Sequence, residues 1–261
     1  MHVIERGAGT PIILIHGFGV DHRILLPLDS VFEAAGGWRR IYVDLPATQG
    51  TPVGDVAGAE DIVSVVADEI RTQVGEEPFA ILGSSFGGMI ARRLAHDFRS
   101  QVIGLATMAA VFVAEHGKRQ VPARTVLSED PELLDRLGKD AAPYAEMAVV
   151  QSADNAQVFI NHVFPGRQSV DEEGLGRIAQ RYGLDDEPEE ASPEPFTQPS
   201  LFIAGKQDHV VGYHDGWNRN EHYPRSTYAA LDAAGHNVHI DQPGITAALI
   251  TEWLARIRAD R

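Results

Sequence analysis

The chain has 261 residues and contains no cysteine. Disulfide bonds, thiolate metal sites and a cysteine nucleophile are therefore excluded, and the composition fits a reducing compartment. Basic residues are also scarce, because 22 Lys and Arg stand against 37 Asp and Glu, which gives a formal net charge of -15. Such an acidic chain repels nucleic acid and anionic membranes, so neither is expected as a partner.

Long hydrophobic runs are missing as well. No window approaches the ~18 uninterrupted apolar residues of a membrane span, and residues 1–6 include an acidic residue and no apolar segment of a signal peptide. These features predict a soluble, cytoplasmic protein. The apolar share of 44% is ordinary for a globular protein, and the length is enough for one large α/β domain with an insertion or for two modest domains.

Short apolar runs alternate with segments of helical length, a pattern typical of βα units on a mostly parallel sheet. The predicted strands are 12–15, 40–44, 79–82, 101–108, 200–204 and 227–231. The predicted helices between them are 59–74, 88–95, 215–222 and 245–257. The sequence therefore predicts an α/β fold with a mostly parallel central sheet flanked by helices.

The alternation stops between residues 111 and 195. Helical patterns appear there at 131–137 and 144–150, and the stretch closes with an acidic, proline-rich run at 185–195 that is interpreted as a solvated linker. We therefore expect a core of residues 1–110 and 196–261, split by a mainly helical insertion of residues 111–195.

The most informative stretch is Gly-Ser-Ser-Phe-Gly at residues 83–87, between a predicted strand and a predicted helix. Gly-x-Ser-x-Gly in this context is typical of a nucleophile elbow, a turn so tight that its serine takes a strained backbone conformation. Glycine is required on either side because a side chain would be crowded there. The frame selects Ser85, since centring on Ser84 would put Leu82 and Phe86 at the glycine positions.

A serine hydroxyl is a weak nucleophile unless a base and a group that orients the base lie beside it. Asp208 lies in the loop after strand 200–204, and His236 lies in the loop after strand 227–231. The order Ser85, Asp208, His236 is typical of one fold and differs from the orders of the two main serine-protease folds. Parallel strands place these loops at one edge of the sheet. We therefore predict His236 as the base and Asp208 as its orienting carboxylate.

The oxyanion formed during acyl transfer needs backbone N–H donors. The N–H of Phe86, next to the nucleophile, is one candidate, and the N–H of Phe18, in the His-Gly-Phe-Gly loop at residues 16–19, is the other. The side chains of Phe18 and Phe86, with Phe112 of the insertion, are expected to form an apolar substrate wall. For His162 two interpretations stay open, core packing and a polar contact to substrate.

These motifs resemble the α/β-hydrolase superfamily, in particular its compact bacterial members with a helical cap. The matching segments are residues 16–19, 44–46, 83–88, 205–208 and 235–236. The resemblance implies an eight-stranded type of sheet, with or without its first strand, and a lid over the serine. One departure is visible: where members often continue Asp-Leu-Pro as Gly-x-Gly-x-Ser, residues 47–51 read Ala-Thr-Gln-Gly-Thr, which leaves the conformation and any specificity of that loop open.

The remaining polar residues receive mostly structural interpretations. The resemblance implies that His16 holds the oxyanion loop by hydrogen bonds, and Asp21 fits the N-cap of a solvated helix start. Histidine and carboxylate residues also lie close in sequence, but their spacing matches no metal-ligand signature; these are His209, His214, Asp215, His236, His239 and Asp241. No metal and no cofactor is predicted, and the sequence assigns no role to His22 or His239.

The sequence thus predicts a serine hydrolase that cleaves a small or medium carboxylic ester, thioester or lactone through an acyl-enzyme. A serine at the elbow argues against the dehalogenase and epoxide-hydrolase branches of the superfamily, which use aspartate there. The alternatives are hydrolysis of a carbon–carbon bond in ring-cleavage diketones, acyl transfer to an alcohol or amine, and a small-molecule receptor with little turnover. The substrate and the oligomeric state stay open.

Overall fold

The computed structural model describes residues 1–48 and 50–260 of the chain. In this part of the chain seven strands form one sheet in the order β1-β3-β2-β4-β5-β6-β7. The strands are β1 (His2–Arg6), β2 (Thr10–Ile15), β3 (Trp38–Asp44), β4 (Phe79–Ser84), β5 (Val102–Met108), β6 (Ser200–Gly205) and β7 (Ser226–Leu231). Only the edge pair β1 and β3 is antiparallel. The predicted α/β class with a mostly parallel sheet is confirmed.

Strand β1 is the one strand that the sequence did not predict. It pairs with β3 in a register that sets Val3 opposite Val43 and Ile4 opposite Tyr42. Its residues are half-buried or exposed, because β1 lies at the edge of the sheet. An edge strand needs no run of apolar residues, so its sequence carries only a weak strand pattern.

Helices cover both faces of the sheet. Those of the core are α1 (Asp29–Ala35), α2 (Ala59–Val74) and α3 (Phe86–Asp97), and those of the segment between β5 and β6 are α4 (Pro131–Leu137), α5 (Ala141–Met147), α6 (Ala153–Val158), α7 (Phe164–Gln168), α8 (Glu172–Ala179) and α9 (Pro188–Ala191). Three more follow β6, namely α10 (His214–Asn218), α11 (Val238–Asp241) and α12 (Pro243–Ala259). None of the described helices is long and apolar enough to cross a membrane.

Alternate residues of the central strands pack into two separate hydrophobic clusters, one on each face of the sheet. Ile13 and Ile15 of β2 belong to the cluster that includes the buried faces of α2 and α3. Ile12 and Leu14 point the other way, into a cluster that contains Trp253 of α12. This two-sided burial is the reason that the central strands read as continuous apolar runs.

Two predicted helices differ from the structure. The helix expected at 144–150 is α5, which ends at Met147, because Ala148 has an extended backbone and Leu127 donates its N–H to the Val149 carbonyl at 2.8 Å. Pro143, which has no N–H, is tolerated because it lies in the first turn of α5. The helix expected at 215–222 is divided into α10 and a 3₁₀ turn, Asn220–His222, in a stretch whose glycine and asparagines have low helix propensity.

The acidic run at 185–195 is exposed in most of its residues, as its composition suggested, but its centre is structured and packed against the protein. It contains α9, and the Glu189 side chain is only 2% exposed. Arg92, which is fully buried in α3, donates to Glu189 at 2.7 and 2.5 Å and to Glu187 at 2.6 Å. Burying the arginine is tolerable only if carboxylates pair with it, so Glu189 is buried beside it and Glu187 is partly buried.

Candidate active site

Ser85 lies in the sharp turn between β4 and α3. Its φ of 54° and ψ of -119° are strained for a residue with a side chain. The glycines around it are required by space: a Cβ on Gly83 would lie 2.2 Å from the Gly87 carbonyl oxygen, and one on Gly87 would lie 2.3 Å from the His16 carbonyl oxygen. The turn therefore presents the serine at the carboxyl edge of the sheet.

The structure brings Ser85, His236 and Asp208 into one hydrogen-bonded line. His236 lies between β7 and α11, and its Nε2 is 2.9 Å from the Ser85 Oγ. Its Nδ1 is 3.0 Å from Oδ2 of Asp208, which lies in the loop after β6. Residues far apart in the sequence meet here because their strands are parallel and end at the same edge.

Asp208 is held in one orientation by its own backbone. Its Oδ1 accepts the N–H groups of Val210 at 2.8 Å and Val211 at 3.1 Å, and the side chain is fully buried. Oδ2 is then the oxygen that faces the imidazole, so Nδ1 of His236 donates to it. Nε2 is left as an acceptor toward the Ser85 hydroxyl, which is the tautomer that proton abstraction requires.

The two segments predicted to supply the oxyanion donors both lie next to Ser85. Phe86 is the first residue of α3, and N–H groups in the first turn of a helix have no intrahelical acceptor. Phe18 follows Gly17, whose backbone approaches the nucleophile so closely that a Cβ there would lie 3.1 Å from the Ser85 Cβ. The geometry thus places the predicted oxyanion loop beside the serine.

His16 fastens this loop to the core. Its Nε2 accepts the N–H of Leu45 at 2.9 Å, so Nδ1 carries the proton and donates to the Gly17 carbonyl at 2.7 Å. Complete burial lowers the pKa of His16 and keeps the ring neutral, although Asp44 acts in the opposite direction. His16 therefore holds the loop of Gly17 in place by hydrogen bonds.

A cavity of about 390 Å³ opens over Ser85 and His236. Its wall is largely apolar, and the β5–β6 segment contributes part of it; the other lining residues are Gly17, Phe18, Gly19, Val20, Ile24, Ser84, Glu146, Met147, Val163, Arg167, Tyr182, Val210 and Asn237. A larger groove of about 600 Å³ lies elsewhere, along the loop around residues 50–56, and its ionisable lining side chains are Asp55 and Asp61. Of these two sites in the described part of the chain, the smaller cavity is the one that contains the hydrogen-bonded Ser85 and His236.

The predicted substrate wall is only partly the one observed. Phe18 lines the cavity, but Phe86 and His162 do not: the Phe86 ring packs against Phe18, and the His162 ring is directed to the Arg23 backbone. Phe112 also lies away from the cavity, with its ring 4.0 Å from the guanidinium carbon of Arg92.

Tyr182 of the β5–β6 segment takes the place expected for these rings. It packs on Phe18 at 5.3 Å and on Phe86 at 4.8 Å between ring centroids. Sequence reasoning missed Tyr182 because it stands in an irregular stretch with no motif around it. It covers both aromatic residues whose backbone N–H groups were predicted to bind the oxyanion.

Asp21 begins a helix, as expected, but Asp21 is buried and His22 is half-buried, so this helix start is not solvated. Asp21 caps the 3₁₀ helix His22–Leu28 by accepting the Arg23 N–H, but it is only 1% exposed. His22 Nδ1 and His2 Nδ1 lie 2.9 and 2.6 Å from the Asp44 carboxylate. Among the described residues, His2, His22 and Asp44 form the group whose atoms lie close enough together to hold a metal, yet hydrogen bonds account for their contacts.

The loop after Asp44, which departs from the superfamily's pattern, is a tight turn. Ala47 adopts a φ of 68° and donates its N–H to the Thr51 carbonyl at 3.1 Å. Gln49 of this loop lies outside the described residues. Gly50 and Thr51 line the larger groove and not the cavity over Ser85.

The loop of His236 is held in place by hydrogen bonds of two residues that follow it in the chain, His239 and Asp241. His239 is buried, which lowers its pKa to about 4, and Nε2 donates to the Ile24 carbonyl at 2.8 Å. Asp241 accepts the Gly235 N–H at 2.8 Å and lies 3.5 Å from the Asn155 amide of α6. Burial, with Asp208 adding to it, raises the pKa of Asp241 to about 7.

We expect the Asp241→Asn variant to have a higher free energy of unfolding than the wild type at alkaline pH. The pKa of Asp241 is about 7 in the folded protein and 3.8 ordinarily, so the native state keeps this proton at pH values at which the unfolded state has lost it. The free energy of unfolding of the wild type therefore falls as pH rises from about 4 to 7. The cost is about 1.4 kcal/mol per pH unit within this window. Urea unfolding should find the variant more stable than wild type by a few kcal/mol at pH 8, with the difference shrinking toward pH 4. The exposed control Asp135→Asn should change stability by less than about 0.5 kcal/mol at either pH; a pH-independent difference for Asp241→Asn would contradict the expectation.

Comparison with known proteins agrees with this architecture. The family model for the alpha/beta hydrolase fold matches residues 10–243. A crystal structure of an alpha/beta superfamily hydrolase from Oenococcus oeni superposes with a TM-score of 0.89 at 23% identity, covering 98% of this chain and 96% of that one. At this identity the likeness shows the fold.

Curated relatives include two enzymes named pimeloyl-[acyl-carrier protein] methyl ester esterase. The one from Shewanella woodyi is 26% identical over 97% of this chain and 97% of its own length. The one from Legionella pneumophila is 22% identical over 97% of this chain and 99% of its own length. With a family match over most of its length and relatives that align from end to end, this chain belongs to the alpha/beta hydrolase fold family and is a hydrolase.

Proposed function

We propose that this protein is a serine esterase that cleaves a small or medium carboxylic ester, thioester or lactone through an acyl-enzyme. The observation that carries the proposal is the continuous line from the Asp208 carboxylate through His236 to the hydroxyl of Ser85, with 3.0 and 2.9 Å between the bonding atoms. The strained elbow supports it, since such a backbone persists where the surrounding structure enforces it.

In the proposed reaction the Ser85 Oγ attacks the ester carbonyl carbon while His236 Nε2 takes its proton. The carbonyl oxygen becomes an oxyanion that accepts hydrogen bonds from the backbone N–H groups of Phe18 and Phe86. Collapse of this intermediate breaks the bond to the leaving alcohol, and His236 returns the proton to it. Water then attacks the acyl-enzyme with His236 as base, which releases the free acid and restores Ser85. The Asp208 carboxylate orients the imidazole and stabilises the imidazolium.

We also propose that residues 111–195 act as a cap over the core of residues 1–110 and 196–261. The cap residues Met147, Val163 and Tyr182 reach the cavity and supply part of its apolar wall. A cavity of about 390 Å³ lies at the small end of ligand sites, which fits an acyl group of modest length. The named relatives act on a methyl ester of an acyl chain, which favours ester hydrolysis over carbon–carbon cleavage for this chain.

A screen of methyl and p-nitrophenyl esters with graded acyl chains tests this function. We expect hydrolysis with a clear chain-length optimum and at least about a tenfold fall in kcat/KM for chains too long for the cavity. A fluorophosphonate probe should label Ser85 and stop the hydrolysis. Product analysis with added alcohols or amines should return mainly free acid. Dominant transfer to the added nucleophile would make the protein an acyltransferase, and tight binding without turnover would make it a receptor.

A further inference from the structure

The mouth of the active-site cavity carries a pair of opposite charges that the proposed mechanism does not use. Glu146 of α5 and Arg167 of α7 both line the cavity that contains Ser85. Arg167 Nη2 lies 3.8 Å from Glu146 Oε2, which is too far for a hydrogen bond. The two side chains are 39% and 60% exposed, so the pair lies at the entrance of the cavity.

Arg167 differs from the neighbouring arginines in having its donors available. Arg119, Arg124 and Arg177 each donate to two or more backbone carbonyl oxygens and so hold the cap in shape. In residues 1–48 and 50–260, the side chain of Arg167 makes the loose ion pair with Glu146 and no hydrogen bond within 3.5 Å. A guanidinium whose donors are free at a cavity mouth is suited to bind a carboxylate in a bidentate manner.

The backbone before Arg167 explains how the side chain reaches the cavity. Residues Phe159–Val163 form a π-helical turn, in which the Phe164 N–H bonds to the Phe159 carbonyl five residues earlier. Pro165, which lacks an N–H, follows at once and prevents regular α-helical bonding there. Val163 and Arg167 are four residues apart and line the same cavity, with Val163 on its wall. Short π-helical turns within α-helices occur frequently at functional sites.

We propose that Arg167 is a specificity-determining residue that binds a carboxylate at the far end of the acyl chain. The substrate class is then the half-ester of a dicarboxylic acid, with its ester carbonyl at Ser85 and its free carboxylate at Arg167. This assignment rests on the esterase function proposed above. The formal net charge of -15 repels an anionic substrate, so a cation at the mouth is needed to admit one. Glu146 competes for the same guanidinium and is displaced when the substrate carboxylate arrives.

The test compares two esters of the same dicarboxylic acid, the monomethyl half-ester and the neutral dimethyl diester, over a series of chain lengths. The quantity measured is the ratio of their kcat/KM values in each preparation, which cancels any loss of folded enzyme. Arg167→Gln should lower this ratio roughly tenfold at the preferred chain length. Glu146→Gln should raise it severalfold, because it removes the competing carboxylate. Raising the salt concentration should lower the ratio in wild type and have little effect in Arg167→Gln.

Arg136→Gln is the matched control, because Arg136 is an exposed arginine of α4 that does not line the cavity. It should leave the ratio at the wild-type value. If hydrolysis depends on Ser85 but the ratio is the same in wild type and Arg167→Gln, the assignment of Arg167 is overturned while the esterase function stands. If neither ester is hydrolysed and no probe labels Ser85, the proposed function falls and the assignment falls with it.

Discussion

Ser85→Ala is expected to lower kcat for p-nitrophenyl acetate by roughly 10⁴–10⁶-fold. The variant removes the hydroxyl oxygen that is proposed to form the acyl-enzyme, while the proposed oxyanion donors and the cavity stay in place. Alanine needs no more space than serine, and the elbow glycines still permit the turn, so the fold should persist. Residual hydrolysis comes from the oxyanion site and from binding alone. Steady-state kinetics, together with loss of the pre-steady-state burst, measures the effect.

Ser84→Ala is the matched control for this experiment. Ser84 is the last residue of β4 and lies next to the nucleophile in the chain, but it is not bonded to His236. We expect the Ser84 variant to keep probe labelling and most of the burst. If Ser85→Ala hydrolyses the ester at the wild-type rate, or if activity disappears only in Ser84→Ala, the proposed mechanism is wrong.

Arg92→Met is expected to lower the free energy of unfolding by about 3–5 kcal/mol. The side chain of Arg92 is fully buried and bonds to Glu189, to Glu187 and to the Val111 carbonyl. Methionine leaves the buried Glu189 without its cation, and leaving one charge of such a pair alone is the costly change. Urea unfolding monitored by fluorescence, with unchanged m-values, measures the loss.

The neighbouring Arg93 supplies the control. It lies on the same helix and pairs with Glu60 and Asp97, but its side chain is 28% exposed, so Arg93→Met should cost less than about 1 kcal/mol. Adding Glu189→Gln to Arg92→Met should recover part of the lost stability, because it removes the unpaired charge. Equal losses from the two arginine variants would contradict the buried network.

The same network predicts the acid sensitivity of the protein. Burial alone would raise the pKa of Glu189, but Arg92 outweighs it and lowers the pKa to about 2, below the ordinary 4.5. The stability that this carboxylate contributes is therefore complete above about pH 4.5 and disappears as pH falls toward 2. The difference in the free energy of unfolding between wild type and Arg92→Met should therefore become smaller as pH falls from about 4.5 toward 2.

Local sequence was sufficient where a structure depends on its own residues. Helix α2 has the bounds that were predicted, since its apolar stripe and the glycines at its ends are encoded within the segment. The elbow was located by glycines whose missing Cβ atoms make room for backbone a few residues away. Asp208 and His236 were selected by their positions after predicted strands, and the structure brings both to Ser85.

Prediction failed where distant residues decided the outcome. The centre of the acidic run was expected to be solvated like its ends, because composition does not reveal that a buried arginine lies on a helix ninety-odd residues earlier in the chain. The substrate wall was assigned to Phe86 and Phe112, but packing directs those rings into the core and places Tyr182 over the site. Strand β1 depends on β3 for its hydrogen bonds, so its own residues give little sign of it.

By itself the sequence determined the class of fold, the tight turn at Ser85 and the chain order of the chemical groups, because these depend on short-range sterics and on the apolar pattern of single strands. Only the tertiary structure decided which residues of the β5–β6 segment line the cavity, which partners the buried charges find and which side chain lies beside Arg167 at the cavity mouth. Those choices depend on contacts between residues far apart in the chain, whose free energies exist only once the chain has folded.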